Sequence, residues 1–422
     1  VALPYVPANS YLEQLLKDRR QDELTEAMRP KPEAEPAKRI PLDYRIGPEI
    51  VERRWQLFDY APTAREQLLD PLTAEAMARY QHNIENFIGT VKVPVGIAGP
   101  LRVNGLFAQG DYYLPLATTE AALVASYNRG AQIISRAGGC TTLLLKEAVM
   151  RAPGFAFANL REAGAFVAWV LSQLEQFKAE AAKTTRHGEL VDMQVTVEGN
   201  HVYLRFDFHT GDAAGQNMVT IATRAICDYI QANSPVTPRY FFLEANLSGD
   251  KKASAQSFQS VRGKKVTAEV TLPAELVESM LHTTVERMVA YWRMSALGGV
   301  MTGTIGVQGH YANGLAALYI ACGQDAACVA ESAVGVTRFE RTDDGELYAS
   351  VTLPNLIVGT VGGGTGLPSQ RACLDLLGLA GPGHARAFAE LTAALTLAGE
   401  LSIIGALCAG HFARAHQHLA RG

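Results

Sequence analysis

Val191-Asp192-Met193-Gln194-Val195-Thr196-Val197-Glu198-Gly199-Asn200-His201-Val202-Tyr203-Leu204-Arg205-Phe206-Asp207-Phe208 alternates apolar and polar residues on both sides of Gly199-Asn200. Val191, Met193, Val195 and Val197 share one face of the first run, and Val202, Leu204, Phe206 and Phe208 share one face of the second. Period-two alternation marks a half-buried strand, and a two-residue Gly-Asn break between two such runs marks a hairpin. Upstream, residues 160–183 carry a helical pattern; downstream, a helix is expected over 217–231 and a strand over 240–243. Helix, hairpin, helix and strand predict an α+β layer with helices on one face, ferredoxin-like in order. We place this small domain at residues 153–243.

The flanking segments read differently. Residues 46–80 are helical in pattern with weak caps, and 91–101 suit a strand in which Pro94 sits at an edge or end. Asn104-Gly105 is the next expected turn. Thr118-Thr119-Glu120 precedes the helical series Leu123, Val124, Tyr127, Ala131, Ile134, so a threonine is expected to cap and Glu120 to lie in the first turn. After Lys252, a strand is expected over 266–272 and a helical stretch over 274–297. These pieces form an expected large, helix-rich domain, 46–152 and 244–387, into which the small domain is inserted. The fold class is therefore multidomain α+β with α/β character.

Residues 1–45 read as a short helix, with Ser10 and Glu13 spaced as a capping box, followed by a proline-rich arm. Residues 388–422 read as a long helix, apolar as far as Ala409 and then basic, with His411, His416 and His418. Its most apolar run, 401–409, is too short to span a bilayer.

The chain of 422 residues is 48% hydrophobic and 19% charged with net charge -4, which gives no basic footprint for a nucleic acid. Six cysteines, Cys140, Cys227, Cys322, Cys328, Cys373 and Cys408, form no C-x-x-C pair and mostly sit in apolar surroundings, as buried free thiols of a reducing compartment do. No metal site is expected. With no signal peptide at its start, the chain is expected to be soluble and cytoplasmic.

Two stretches carry chemistry. Asp250-Lys251-Lys252 follows a Ser-Gly break, and a lysine held in a cleft can neutralise an anionic substrate or a developing oxyanion. Taken alone, the tripeptide is better read as a solvated loop. Gly359 to Gly366 is glycine-rich enough to approach a phosphate, but it lacks both the Gly-Lys-Ser/Thr ending of a P-loop and the spacing of a Rossmann fingerprint.

Read together, separated segments resemble the 3-hydroxy-3-methylglutaryl-coenzyme A (HMG-CoA) reductase family. They are Glu85-Asn86-Phe87-Ile88-Gly89, Ala117-Thr118-Thr119-Glu120, Thr210 through Met218, Asp250-Lys251-Lys252, Gly323-Gln324-Asp325-Ala326-Ala327 and Gly359 to Thr365, with Gly410-His411 and His416 closing the series. Their order across residues 85–416 is that of the family.

The resemblance implies reduction of HMG-CoA to mevalonate and CoA with two NADPH, NADH being the alternative in a degradative enzyme. A catalytically silent CoA-binding homologue is the alternative of another class. It implies Lys251 as the cation at the carbonyl oxygen, Glu120 as proton donor, Asp325 as the carboxylate bonded to both, and His416 as proton donor to the departing thiolate. Arg151, Lys252, Asp250, Asn313, Ser126, Asn128, Arg129 and Glu85 are the implied substrate contacts, with Glu85 also at a dimer contact. Arg186, Asp212, Ala213, Gly215, Gln216, Asn217 and Met218, with Gly362, Gly363, Gly364 and Thr365, are implied for the cofactor. Arg186 is the expected partner of a 2′-phosphate.

A homodimer at minimum, or a tetramer, with shared active sites is implied, without a membrane anchor and without the phosphorylation site of animal members. The sequence departs from the animal-type pattern at Glu244 for serine, Ala253 for proline, Gln216 for methionine and Gly366 for asparagine.

Overall fold

The computed structural model describes residues 20–58 and 61–410, with isolated positions from 10 to 16. Most of the expected N-terminal helix lies outside the described residues. The proline-rich arm is exposed and has neither helix nor strand over residues 29–39. Among the described residues, fourteen α-helices accompany eleven strands in a mixed α+β architecture.

The eleven strands form one branched sheet. The hairpin of β1 (Val95–Gly105) and β2 (Gln109–Ala117) joins it at β3 (Cys140–Arg151) through a parallel contact. β1 starts directly after Pro94, which lacks an amide donor for the ladder. The turn after it is Leu106–Ala108, one residue past the expected Asn104-Gly105.

β3 belongs to two layers. Residues from Thr141 to Ala148 pair antiparallel with β8 (Gly263–Leu272), and Val149, Met150 and Arg151 pair with β6 (His201–His209). On one side β8 continues to β11 (Leu347–Leu356), β10 (Gly335–Arg341) and β9 (Gly306–Val307). On the other, β6 is flanked by β4 (Gly154–Ala156), then β7 (Tyr240–Phe242), and on its free edge by β5 (Glu189–Glu198).

The order β7-β4-β6-β5, antiparallel throughout, with helices between β4 and β5 and between β6 and β7, is the β-α-β-β-α-β order that the hairpin pointed to. The hairpin closes at Glu198 and His201 around Gly199, whose φ is +54°. Two details differ from the sequence reading. The register shifts between Leu190 and Asp192, so Leu190 pairs with Phe208 and joins the core while Val191 is the extra residue of a bulge. The expected helix over 160–183 is two, Leu160–Val170 and Leu174–Ala182. The break lets Trp169 meet Phe177 edge-on and stack over Tyr229, at 6.3 and 6.5 Å between centroids.

Three apolar clusters result. One, from Val149 to Ile230, lies between this four-stranded layer and its helices. A small one around Trp55 and Phe87 sits under the N-terminal helices, where buried Arg54 donates to the carbonyls of Pro41 and Phe87. The largest surrounds the helix Ala385–Cys408. That helix is long and apolar enough to cross a membrane, contrary to the reading of 401–409 alone, yet 89% of its most apolar window is buried inside the protein. It carries two fully buried carboxylates. Glu390 accepts from the amides of Leu106, Phe107 and Ala108, and Glu400 from the amides of Gly309 and His310 and from Thr337 Oγ1. Each glutamate supplies the acceptors its turn lacks, so the core helix fixes two surface turns.

Candidate active site

Lys251 stands on a turn braced from beneath. Gly249 (φ +69°) and Lys251 (φ +55°) both adopt the left-handed conformation, which is costly for a lysine and has to be held by its surroundings. The brace is Asp250. Its Oδ2 accepts from Arg151 Nη1 at 2.8 Å and its Oδ1 from Arg262 Nη2 at 2.7 Å, and Arg262 Nη1 reaches Glu331 Oε2 at 2.5 Å. Arg262 and Glu331 are fully buried. Burial raises the Glu331 pKa, with Arg262 opposing. Asp250 is thereby fixed inward, and its neighbour Lys251 lines a cavity of about 540 Å³.

Lys251 Nζ lies 2.8 Å from Asp325 Oδ2. This bond raises the lysine pKa. Burial alone would raise that of Asp325, but Lys251, the Ala327 amide and the Cys328 thiol outweigh it and leave the pKa lowered. The pair is therefore an ammonium and a carboxylate near neutrality.

The same brace revises two expectations and accounts for Glu244. Arg151 and Asp250, expected on the substrate, are turned toward each other. Arg151 also donates to the Gln216 carbonyl at 3.3 Å, and it is only 6% exposed. Glu244, the unexplained departure, approaches Arg151 Nη1 at 3.4 Å and accepts from the Asn246 amide at 2.8 Å, so it faces the protein rather than a ligand. Lys252 is exposed and donates to the Asp250 carbonyl at 2.9 Å.

The rest of the cavity wall comes from three loops. Ala213 to Met218 enters the helix Gln216–Asn233 through Gly215 (φ +80°), and the first residues of that helix, whose amides have no partner within it, line the cavity. Gly362, Gly363, Gly364 and Thr365 form the opposite wall. Gly359 packs on the Asp212–Ala214 backbone so closely that a Cβ there would lie 2.5 Å from the Ala214 nitrogen. Gln324 clamps Gly359 through both its amide and its carbonyl, at 2.9 and 3.0 Å. Beneath, buried Lys264 donates to the Val358 carbonyl at 3.2 Å, and burial lowers its pKa.

Asp212 departs from expectation. Its carboxylate takes the Gly383 and Ala385 amides at 2.8 and 3.1 Å, so it caps the start of the core helix instead of lining the cavity. Arg186 is exposed, outside the lining, on the turn whose His187 and Gly188 lie against Gly211 and Met218.

A second cavity, of about 320 Å³, holds Glu120, Ser126, Arg129, His310 and Asn313 against Ile403 and Leu407 of the core helix. Glu120 is not in the first turn of its helix. Ala122 at φ +69° is the N-cap, the helix begins at Leu123, and Thr118 Oγ1 accepts from the Glu120 amide within the preceding turn. Glu120 is exposed, and Asn313 Nδ2 lies 3.4 Å from its Oε1. No bond joins it to Asp325 among the described residues, so the expected three-way network of Lys251, Asp325 and Glu120 is not closed within one chain.

Ser126 and Arg129 both bond to Ser402, and burial lowers the Arg129 pKa. Asn128, expected beside them on the ligand, instead accepts from the Gly99 amide at 3.0 Å and lines neither cavity. Glu85 is exposed and lines neither cavity, although nearby Asn83 reaches the Gly363 carbonyl at 2.8 Å. His416, with His411 and His418, lies outside the described residues.

The sequence reading missed His310, Arg262, Glu331 and Gln324 as site-building residues. Gln324 stood inside a motif already singled out, and His310 stands three residues before Asn313 in the same cavity wall. Arg262 and Glu331 carry no local signal.

A family model described as hydroxymethylglutaryl-coenzyme A reductase matches residues 49–421. The chain is 46% identical over 347 residues to the 3-hydroxy-3-methylglutaryl-coenzyme A reductase of Pyrococcus horikoshii, covering 80% of this chain and 84% of that protein. It is 45% identical over 344 residues to that of Methanothermobacter thermautotrophicus, covering 81% and 86%. In fold it is similar to the class II 3-hydroxy-3-methylglutaryl-CoA reductase from Streptococcus pneumoniae bound to NADPH in open conformations, with a TM-score of 0.64 over 84% of this chain and 96% of that one, at 21% identity. With its fold and its sequence agreeing, the chain belongs to the hydroxymethylglutaryl-coenzyme A reductase family.

Proposed function

We propose that the protein reduces HMG-CoA to mevalonate and CoA, using two NADPH. The observation that carries the reading is the Lys251–Asp325 pair in the wall of the cavity that the Ala213–Met218 and glycine loops also line. The residues fit a dinucleotide: a helix end offers free amides to a pyrophosphate, and the loops are closed so tightly at Gly359 that only backbone approaches. When bound, the nicotinamide supplies a hydride at each of two steps. Lys251 faces the carbonyl oxygen and stabilises the negative charge that grows there both times. After the first step the hemithioacetal collapses and expels CoA as a thiolate, for which His416 is the proton donor. Glu120 delivers the proton that the aldehyde oxygen takes at the second step. Ser126, Arg129 and Asn313 belong to the substrate side, with the apolar wall of Ile403 and Leu407 suited to the CoA arm.

We assign 153–243 to cofactor binding, 46–152 with 244–387 to the substrate, and 388–422 to the segment that brings His416. Arg186 has no hydrogen bond or ion pair among the described residues, and an exposed, unpaired guanidinium on the turn that packs against Met218 suits a 2′-phosphate, which favours NADPH over NADH. The working unit is a homodimer at minimum, in which Glu120 of one subunit meets the Lys251–Asp325 pair of the other. Incubating the protein with HMG-CoA and either cofactor tests the reading: mevalonate and CoA should form with NADPH, and Arg186→Ala should raise the KM for NADPH while leaving that for NADH unchanged. No mevalonate with either cofactor would overturn it.

A further inference from the structure

One contact crosses from the cofactor loop to the turn that carries the partner of Lys251. Gln216 is the first residue of the helix Gln216–Asn233, and its Nε2 lies 2.9 Å from Cys328 Sγ and donates to it. Cys328 ends the 3-10 turn Ala326–Cys328, whose cap is Asp325, and its own amide donates to the Asp325 carbonyl at 3.0 Å. Asp325 in turn holds Lys251 at 2.8 Å. Gln216 is also tied from its other side, where its carbonyl accepts from Arg151, the residue that braces Asp250. A ring of bonds thus runs from Gln216 through Cys328, Asp325 and Lys251 to Asp250 and Arg151, and back to Gln216.

We infer that Cys328 is a positioning residue, whose contact with Gln216 fixes the Lys251–Asp325 pair relative to the end of the cofactor helix. The inference rests on the reductase reading and deepens it. A thiol suits the place because its sulfur accepts from an amide while its S–H serves a carboxylate. The charged groups that face it are Asp325, Glu331 and Arg262; burial, then the two carboxylates, push its pKa up, which keeps it protonated. Cys328 is fully buried and does not line the cavity, so it acts through its neighbours and not on a ligand. Removing the sulfur takes away the acceptor that holds the half-buried Gln216 amide and frees the Asp325 turn to shift. Such a shift spoils alignment at the reacting centre more than it weakens binding.

The test is a double-mutant cycle on the full-length protein, read by kcat with NADPH and HMG-CoA, by the NADPH dissociation constant, and by the thermal midpoint. Cys328→Ala and Gln216→Leu should each lower kcat roughly tenfold, Cys328→Ala with the dissociation constant changed by less than about twofold, and the double variant should fall no further in kcat than either single. Cys328→Ser, which keeps a donor and an acceptor, should retain at least about half of kcat. If Cys328→Ala does not fold, the serine variant and Gln216→Leu decide: kcat retained by serine and lost by leucine supports the link. Full kcat in Gln216→Leu, or losses that multiply in the double variant, would overturn it. An inactive wild type would overturn the reductase reading and the link together, whereas an active wild type with multiplying losses overturns the link alone.

Discussion

Lys251 and Asp250 are neighbours in sequence with opposite duties, and the left-handed conformation at Lys251 is what separates them. Asp250 is drawn inward by two guanidinium groups that lie 99 positions before and 12 positions after it, which no local pattern could reveal. The identities of the candidate residues were legible because their motifs recur in a family's order; their contacts were not. Arg151 and Asp250 read as ligand contacts from that order, yet the fold commits them to each other, and Glu244 makes sense only once Arg151 is seen beside it. Arg262→Leu strands the buried Glu331 carboxylate, with an expected loss of about 3–5 kcal/mol in urea unfolding, and adding Glu331→Leu should recover much of it.

The Lys251–Asp325 pair also sets a pH window. The Asp325 pKa is lowered, so the pair's contribution is present above the ordinary carboxylate value and is lost as pH falls through the lowered one. The Lys251 pKa is raised, so at the alkaline end the contribution is complete below the ordinary lysine value and is lost as pH rises through the raised one. Asp325→Asn removes the negative charge that raises it, and the alkaline limb of kcat/KM should move to lower pH. An alkaline limb that stays in place would separate it from Lys251.

At the scale of elements, alternation fixed the hairpin and its faces, but not the bulge at Val191, because an extra residue leaves the local pattern intact while reversing which side chain points inward. The helix after Glu120 illustrates the same limit. Threonine, threonine and acid make a sound cap pattern, and the chain instead spends them on a turn and starts the helix at Leu123. The core helix shows a different limit: Glu390 and Glu400 interrupt its apolar run in sequence, yet both are buried and satisfied by backbone amides from distant turns. Glu400→Ala leaves the Gly309 and His310 amides and the Thr337 hydroxyl without their acceptor, at about 1–3 kcal/mol for the fully buried hydroxyl and less for the amides, which water can reach. Because His310 and Asn313 line the second cavity, the same change should raise the KM for the thioester. A lowered melting temperature with an unchanged KM would mean that the turn does not shape that cavity.

For the whole molecule, the β-α-β-β-α-β layer and the mixed α+β architecture were legible from the hairpin outward, and the family from six short segments. The arrangement of two cavities was not, since it depends on β3 threading both layers and on the core helix closing the second one. Glu120 and Lys251 face different cavities of one chain, as a site completed by a second subunit would require. Mixing Lys251→Ala subunits with Glu120→Gln subunits should then restore part of the activity, roughly a quarter of wild type if exchange is random and each rebuilt site works independently. No recovery after verified subunit exchange would place the whole site within one chain.

The central claim is that Lys251 serves both hydride steps of a thioester reduction, and the most direct measurement counts NADPH oxidised and mevalonate formed from HMG-CoA by wild type and Lys251→Ala. The account predicts two NADPH per mevalonate in the wild type and a loss of about 10²–10³-fold in kcat in the variant, with the NADPH dissociation constant little changed. Wild-type kcat in Lys251→Ala would contradict it.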